Sequence, residues 1–204
     1  MELSSKYVKN VKKRSWIHFA IGAIIRLKKY GVNELVIFIA KIKGASVGKE
    51  SYITFKLACS SNSNLVIGNN SIIESHKIDL RQKVIIGNNV IVNKGTTIIR
   101  QSHNINSSHF ELTGNDLLIE DFAWLTTNTL IAPSCKIIGK GTVLAAGAVL
   151  SKDTGHGEVW AGNPAKVIRK REVLHTDLLL PSMQGRDFRT YLKARLSNGN
   201  RLRE

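Results

Sequence analysis

Residues 119–152 read IEDFAWLTTNTLIAPSCKIIGKGTVLAAGAVLSK, and the spacing of their aliphatic residues decides the fold. Ile119, Leu125 and Ile131 are six apart, as are Ile138, Leu144 and Leu150 after one inserted residue. Outward from this stretch the same step joins Val47 to Ile53, Ile67 to Ile73, and Ile86 to Val92 and Ile98. Ile67 to Ile86 and Ile119 to Ile138 are each 19 residues, three hexads plus one, so one coil of chain is expected per repeat. The residue after the aliphatic one is often small (Gly48, Gly68, Gly87, Gly139), and so is the one four places after it (Ser51, Ser71, Thr96, Thr142, Ala148). A triangular coil needs both features: an aliphatic side chain stacked inside each face, and small or turn-tolerant residues where the backbone rounds each corner. A helix does not tolerate this density of glycine and β-branched residues, and an ordinary sandwich spaces its turns irregularly.

The chain has 204 residues, of which 43% are hydrophobic and 22% charged, which excludes wholesale disorder and favours one domain with appendages. Thirty Lys and Arg against fifteen Asp and Glu give a net charge of +15, which favours an anionic partner without choosing one. The basic residues lie at both termini without interleaved aromatics or an RNA-binding signature, so nucleic acid is not expected. Cys59 and Cys135 stand far apart without metal-ligand spacing, which suits a reducing cytoplasm. The apolar runs Ile17 to Ile25 and Leu35 to Ala40 are too short to span a bilayer, and no cleavage site follows the first, so the expected mature chain starts at Met1.

Three zones follow. Residues 1–43 are basic and amphipathic, predicting a helix from about Lys6 to Lys29, a stop at Gly31, and a second short helix capped by Asn33 and ending near Ile42. The pair is expected to pack on the rest of the protein, with peripheral docking on an anionic inner membrane as the alternative. Residues 44–171 form the all-β coil. Residues 172–204 read as a short helix near Arg186 to Leu196 and a basic tail.

The phased hexads, with Ile119-Glu120-Asp121-Phe122-Ala123-Trp124, Ala146-Gly147-Ala148-Val149-Leu150-Ser151-Lys152-Asp153 and Ala161-Gly162-Asn163-Pro164-Ala165-Lys166, resemble the hexapeptide-repeat acyltransferases. Within that family the sugar and polysaccharide O-acetyltransferases are the nearest likeness. The resemblance implies a left-handed parallel β-helix, against the usual crossover hand, and a homotrimer with active sites between neighbouring prisms. It implies acetyl-CoA as donor and a glycan or glycan precursor as acceptor, with N-acetylation of a nucleotide-linked amino sugar as the alternative and a basic binding protein as the remote one.

Ile86 to Ile119 is 33 residues rather than 19, so about fourteen residues leave the coil, placed at 104–117. A long loop in a tight repeat supplies the wall that a smooth prism lacks. His103 stands just before it, where the resemblance implies the general base. A sugar hydroxyl is a poor nucleophile until its proton is taken, and imidazole is suited to that at neutral pH. Asn104 replaces the Asp that many polysaccharide relatives carry after this histidine, so an amide could orient the ring. The resemblance implies an acceptor side at Glu74 and His76, one coil earlier and contributed by the neighbouring subunit, together with Trp124, and His109 in the loop is a further candidate to touch the acceptor. The resemblance assigns Trp124, Thr127 and Ala146 to the pantetheine arm, Ser151 and Lys152 to its distal end, and Arg169 to phosphate, with Lys166 adding positive field. No metal is expected, since the histidines lack the close pairs that zinc requires.

Overall fold

The computed structural model describes residues 5–174 and 180–196. The basic tail after residue 196 lies outside the described residues. The chain forms a β-solenoid of about six turns, a left-handed parallel β-helix with a few helices.

Strands of two or three residues build its three faces, apart from the longer terminal pair on the second. The first face stacks β1 (Ser46–Val47), β3 (Leu65–Ile67), β5 (Val84–Ile86), β10 (Leu117–Ile119) and β13 (Ile137–Ile138) in parallel register. The second stacks β2 (Tyr52–Ile53), β4 (Ile72–Ile73), β6 (Ile91–Val92), β11 (Trp124–Leu125), β14 (Val143–Leu144), β16 (Glu158–Gly162) and β17 (Ala165–Lys170). The third holds β7 (Thr97–Ile98), β12 (Leu130–Ile131) and β15 (Val149–Leu150). Ile67 pairs with Ile86 and Ile119 with Ile138, as the 19-residue step requires. Every aliphatic residue of the hexad series is buried, in one continuous core. The small residues four places on, from Ser51 to Ala148, are buried as well. Hydroxyls inside the stack are satisfied coil to coil: Ser71 donates to the Gly87 carbonyl at 2.8 Å, and Thr142 to that of Gly155 at 2.7 Å.

The corners explain the polar residues between the aliphatics. At the first corner one column comprises Glu50, Asn70, Asn89, Phe122 and Gly141, all with φ between 55° and 71°. At the second, Gly95, Asn128 and Gly147 repeat the left-handed turn. This backbone conformation suits Gly and Asn and strains Glu and Phe. The glycines after the inward residues answer a different need: a Cβ on Gly68 would lie 2.7 Å from the Gly87 carbonyl carbon of the next coil.

The helices depart from the sequence expectation. α1 (Ser5–Lys12) ends early, and α2 (Trp16–Ile42) runs unbroken through Gly31. The break falls at Ser15, whose hydroxyl caps α2 by accepting from the His18 amide at 3.4 Å. Gly31 lies on an exposed face with nothing near its missing Cβ, and its flexibility goes unused. Asn33 starts no helix: it is buried within α2, and its Nδ2 donates to the Ser51 carbonyl at 2.8 Å. The C-terminal half of α2 buries Val36, Ile37 and Ala40 against the first coil and closes that end of the prism. In that coil α3 (Phe55–Ser60), capped by Thr54, stands where a third-face strand would be. α4 (Leu180–Met183) and α5 (Phe188–Leu196) follow the coil. Val8, Val11, Phe19, Tyr191 and Ala194 make a second small core joining α1, α2 and α5, where Asp187 accepts from Arg26 at 2.9 Å and from the Tyr7 hydroxyl.

Candidate active site

The insertion is a hairpin rather than an open loop. β8 (Gln101–His103) pairs antiparallel with β9 (Leu112–Gly114), and Leu117, expected in the loop, is already back in the core as the first residue of β10. The aliphatic run Leu117 to Ile119 matches Val84 to Ile86 in register, which is why the chain rejoins there.

His103 ends the outgoing strand and is exposed. Its ring stacks flat on Phe110, centroids 4.2 Å apart and planes 3° from parallel, and its Nδ1 lies 2.6 Å from the Phe110 carbonyl oxygen. A carbonyl only accepts, so Nδ1 carries the proton of the neutral ring and Nε2 presents its lone pair. The side chain is therefore held in the tautomer a general base needs.

Asn104 does not orient this ring. Its Nδ2 donates to Glu111 at 2.9 Å and its Oδ1 accepts from the Asn106 amide, so it fastens the hairpin tip while Phe110 does the orienting. The Ser107 hydroxyl first, then backbone and Asn104 donors, hold the Glu111 carboxyl below its ordinary value. His109 lies exposed in the same tip, its amide bonded to Ser107.

The hairpin stands on Arg100, which the sequence reading missed. Arg100 is fully buried, and its guanidinium donates to the carbonyls of Cys135 at 2.7 Å and Ala132 at 2.5 Å, both one coil on. A longer contact of 3.4 Å reaches the Asn115 carbonyl just after the returning strand, while the Arg100 amide donates to Asp79. Burial lowers the Arg100 pKa, and its Nε has no hydrogen-bond partner among the described residues. The signal was present: a lone cation directly after Ile98-Ile99, at the phase break.

The remaining site residues spread over the prism. Ser151 and Lys152 are exposed at the corner from which the hairpin departs, two coils further along the stack. Thr127 and Ala146 are exposed one above the other at the opposite edge of the third face, where the Gly147 amide donates to the Thr127 carbonyl at 3.1 Å. On the second face Trp124 and Arg169 line one cleft of about 490 Å³, with Phe122, Val143, Arg171 and Leu180. His103 is not among its walls. The Trp124 indole donates to Asn93 at 2.7 Å, and Asn93 donates to Glu74 at 3.1 Å. The other Glu74 oxygen accepts from Gln184 at 2.8 Å, so this carboxylate is occupied within the chain. His76 is exposed two residues beyond Glu74 on the same coil, and Lys166 is exposed on the terminal hairpin β16–β17. Thus His103 and the residues expected on the donor side flank the third face without closing into one pocket among the described residues of a single chain.

No family model matches the chain. WcaF of Escherichia coli, named for acetyl transfer in colanic acid biosynthesis, is 27% identical over 135 residues, covering 66% of this chain and 74% of that protein. The galactoside O-acetyltransferase of the same organism is 28% identical over 139 residues, covering 62% and 64%. A solved galactoside acetyltransferase in complex with coenzyme A superposes with a TM-score of 0.52 at 20% identity, over 71% of this chain and 82% of that one. Hexad register, solenoid and relatives agree: the chain is similar to hexapeptide-repeat acetyltransferases and shares their β-helix fold.

Proposed function

We propose that this enzyme is an acetyl-CoA-dependent O-acetyltransferase acting on a hydroxyl of a glycan or glycan precursor. The observation that carries this reading is the fixed tautomer of His103, whose free Nε2 lies on a hairpin projecting from an otherwise smooth prism. Nε2 takes the proton of the acceptor hydroxyl as its oxygen attacks the thioester carbonyl carbon. The C–S bond then breaks, and the imidazolium returns the proton to the departing thiolate. Transfer is direct, without an acyl-enzyme.

The residues present fit the donor. Thr127 and Ala146 form a small-sided exposed column suited to a thin pantetheine arm, and a larger side chain at Ala146 would obstruct it. The exposed cations Arg169, Lys166 and Lys152 attract phosphates without demanding exact geometry. Trp124 forms a wall, while His109, His76, Glu74 and Asn104 belong to the acceptor side. Because the base and the donor column do not share a pocket in one chain, we propose a homotrimer in which neighbouring prisms complete each site. The proposed setting is the cytoplasm, at the inner face of the membrane.

His103→Ala should leave the coil intact, since the side chain is not among the stacked aliphatics. Turnover should fall by about 10² to 10⁴ while CoA affinity barely changes. Steady-state rates with hydroxyl and amine acceptors, alongside calorimetric CoA binding, test both the base and the nucleophile. Near-normal turnover of the variant on a verified acceptor would overturn the assignment.

A further inference from the structure

α2 is apolar on both sides. Its inner side meets the first coil and α5, yet Ile17, Ile21 and Ile24, and again Leu35, Phe38 and Ile42, stand at three- and four-residue steps, and the eleven residues from Ile24 to Leu35, about three turns, keep both groups on one outward stripe. Ile17, Ile24 and Ile42 are 73%, 67% and 70% exposed, so among the described residues nothing covers the stripe, which runs along a helix of about 40 Å for 27 residues. Trp16 stands at one end, 67% exposed, and the exposed Lys28 interrupts the stripe near its middle. No helix among the described residues is long and apolar enough to cross a membrane.

Charge chooses the occupant. Residues 1–43 hold ten Lys and Arg against two acids, a net +8 out of the chain's +15. A second copy of this segment would bring another +8 against the first, whereas an anionic bilayer attracts it. Aliphatic side chains sink to the acyl boundary, Trp16 suits the headgroup level, and a lysine within the stripe extends its ammonium outward to phosphate. We infer that the outward face of α2 docks the enzyme flat on an anionic phospholipid surface. The inference rests on the proposed membrane setting but on none of the proposed chemistry, and its test needs no acceptor.

The full-length protein should sediment with phosphatidylcholine vesicles containing phosphatidylglycerol, bind pure phosphatidylcholine far more weakly, and lose binding as salt rises. Lys28→Glu should weaken partitioning on the order of tenfold. Ile24→Glu combined with Leu35→Glu should abolish it, with melting temperature and light-scattering mass unchanged, because both positions are exposed. Wild-type protein that stays in the supernatant with anionic vesicles would overturn the inference. So would a double variant whose mass drops, since the stripe would then be an interface between copies.

Discussion

Arg100 brings a full charge into the base of the His103 hairpin with carbonyl oxygens as its hydrogen-bond acceptors. Desolvating a guanidinium is costly, and bonds to charged donors recover about 1.5–3 kcal/mol each. Removing it leaves the Cys135 and Ala132 carbonyls short of a donor and unties two neighbouring coils. Arg100→Met should therefore lower the unfolding free energy by about 3 kcal/mol in urea titrations. Glu50 is the opposite case. It occupies a left-handed corner at φ 58° where Asn70 and Asn89 stand one and two coils later, and burial pushes its carboxyl pKa up. Glu50→Asn removes a desolvated acid and relieves about 1 kcal/mol of backbone strain. Calorimetry should find the variant melting about 2–4 °C higher.

At the scale of elements, Asp79 links the second coil to the hairpin base. It accepts from the Arg81 guanidinium at 2.8 Å and 2.9 Å and from the Arg100 amide at 3.0 Å. Hydrogen bonds from Arg81, more than any other contact, hold its carboxyl well below the ordinary carboxylate range. A folded pKa below the unfolded value near 3.9 means that the stabilisation is full above that value and is lost as pH falls toward the folded one. The melting temperature should accordingly decline below about pH 4, and Asp79→Asn should start lower and flatten that limb. The coil itself was legible because each inward position must be filled, so packing writes a six-residue period into the chain. The helix boundary was not: Gly31 reads as a stop locally, but α2 is held straight by Val36, Ile37 and Ala40 against the coil, a constraint that exists only after folding. His103 was legible as the last residue before the phase break. Phe110, which orients its ring through a main-chain carbonyl, was not, because a backbone oxygen leaves no mark on residue type. The pairing of Trp124 with Arg169 in one cleft likewise arises only when β17 folds back along β16.

The molecule as a whole is a stack with two different ends. α2 covers the first coil, while β17 reverses direction against β16 and turns the last strand antiparallel. A parallel stack whose ends stay open presents unpaired peptide groups in register with those of any other copy, and such ends join into fibres. The helix and the reversal thus set the length of the solenoid, since neither offers the next coil a matching edge. Ala40 is fully buried where α2 meets the coil, and Ala40→Glu should lift the helix from β1 and β2. The outcome expected is end-to-end pairing through that one opened coil: light scattering should find the variant at about twice the wild-type mass, and electron microscopy should show no filaments, because β17 keeps the other end closed.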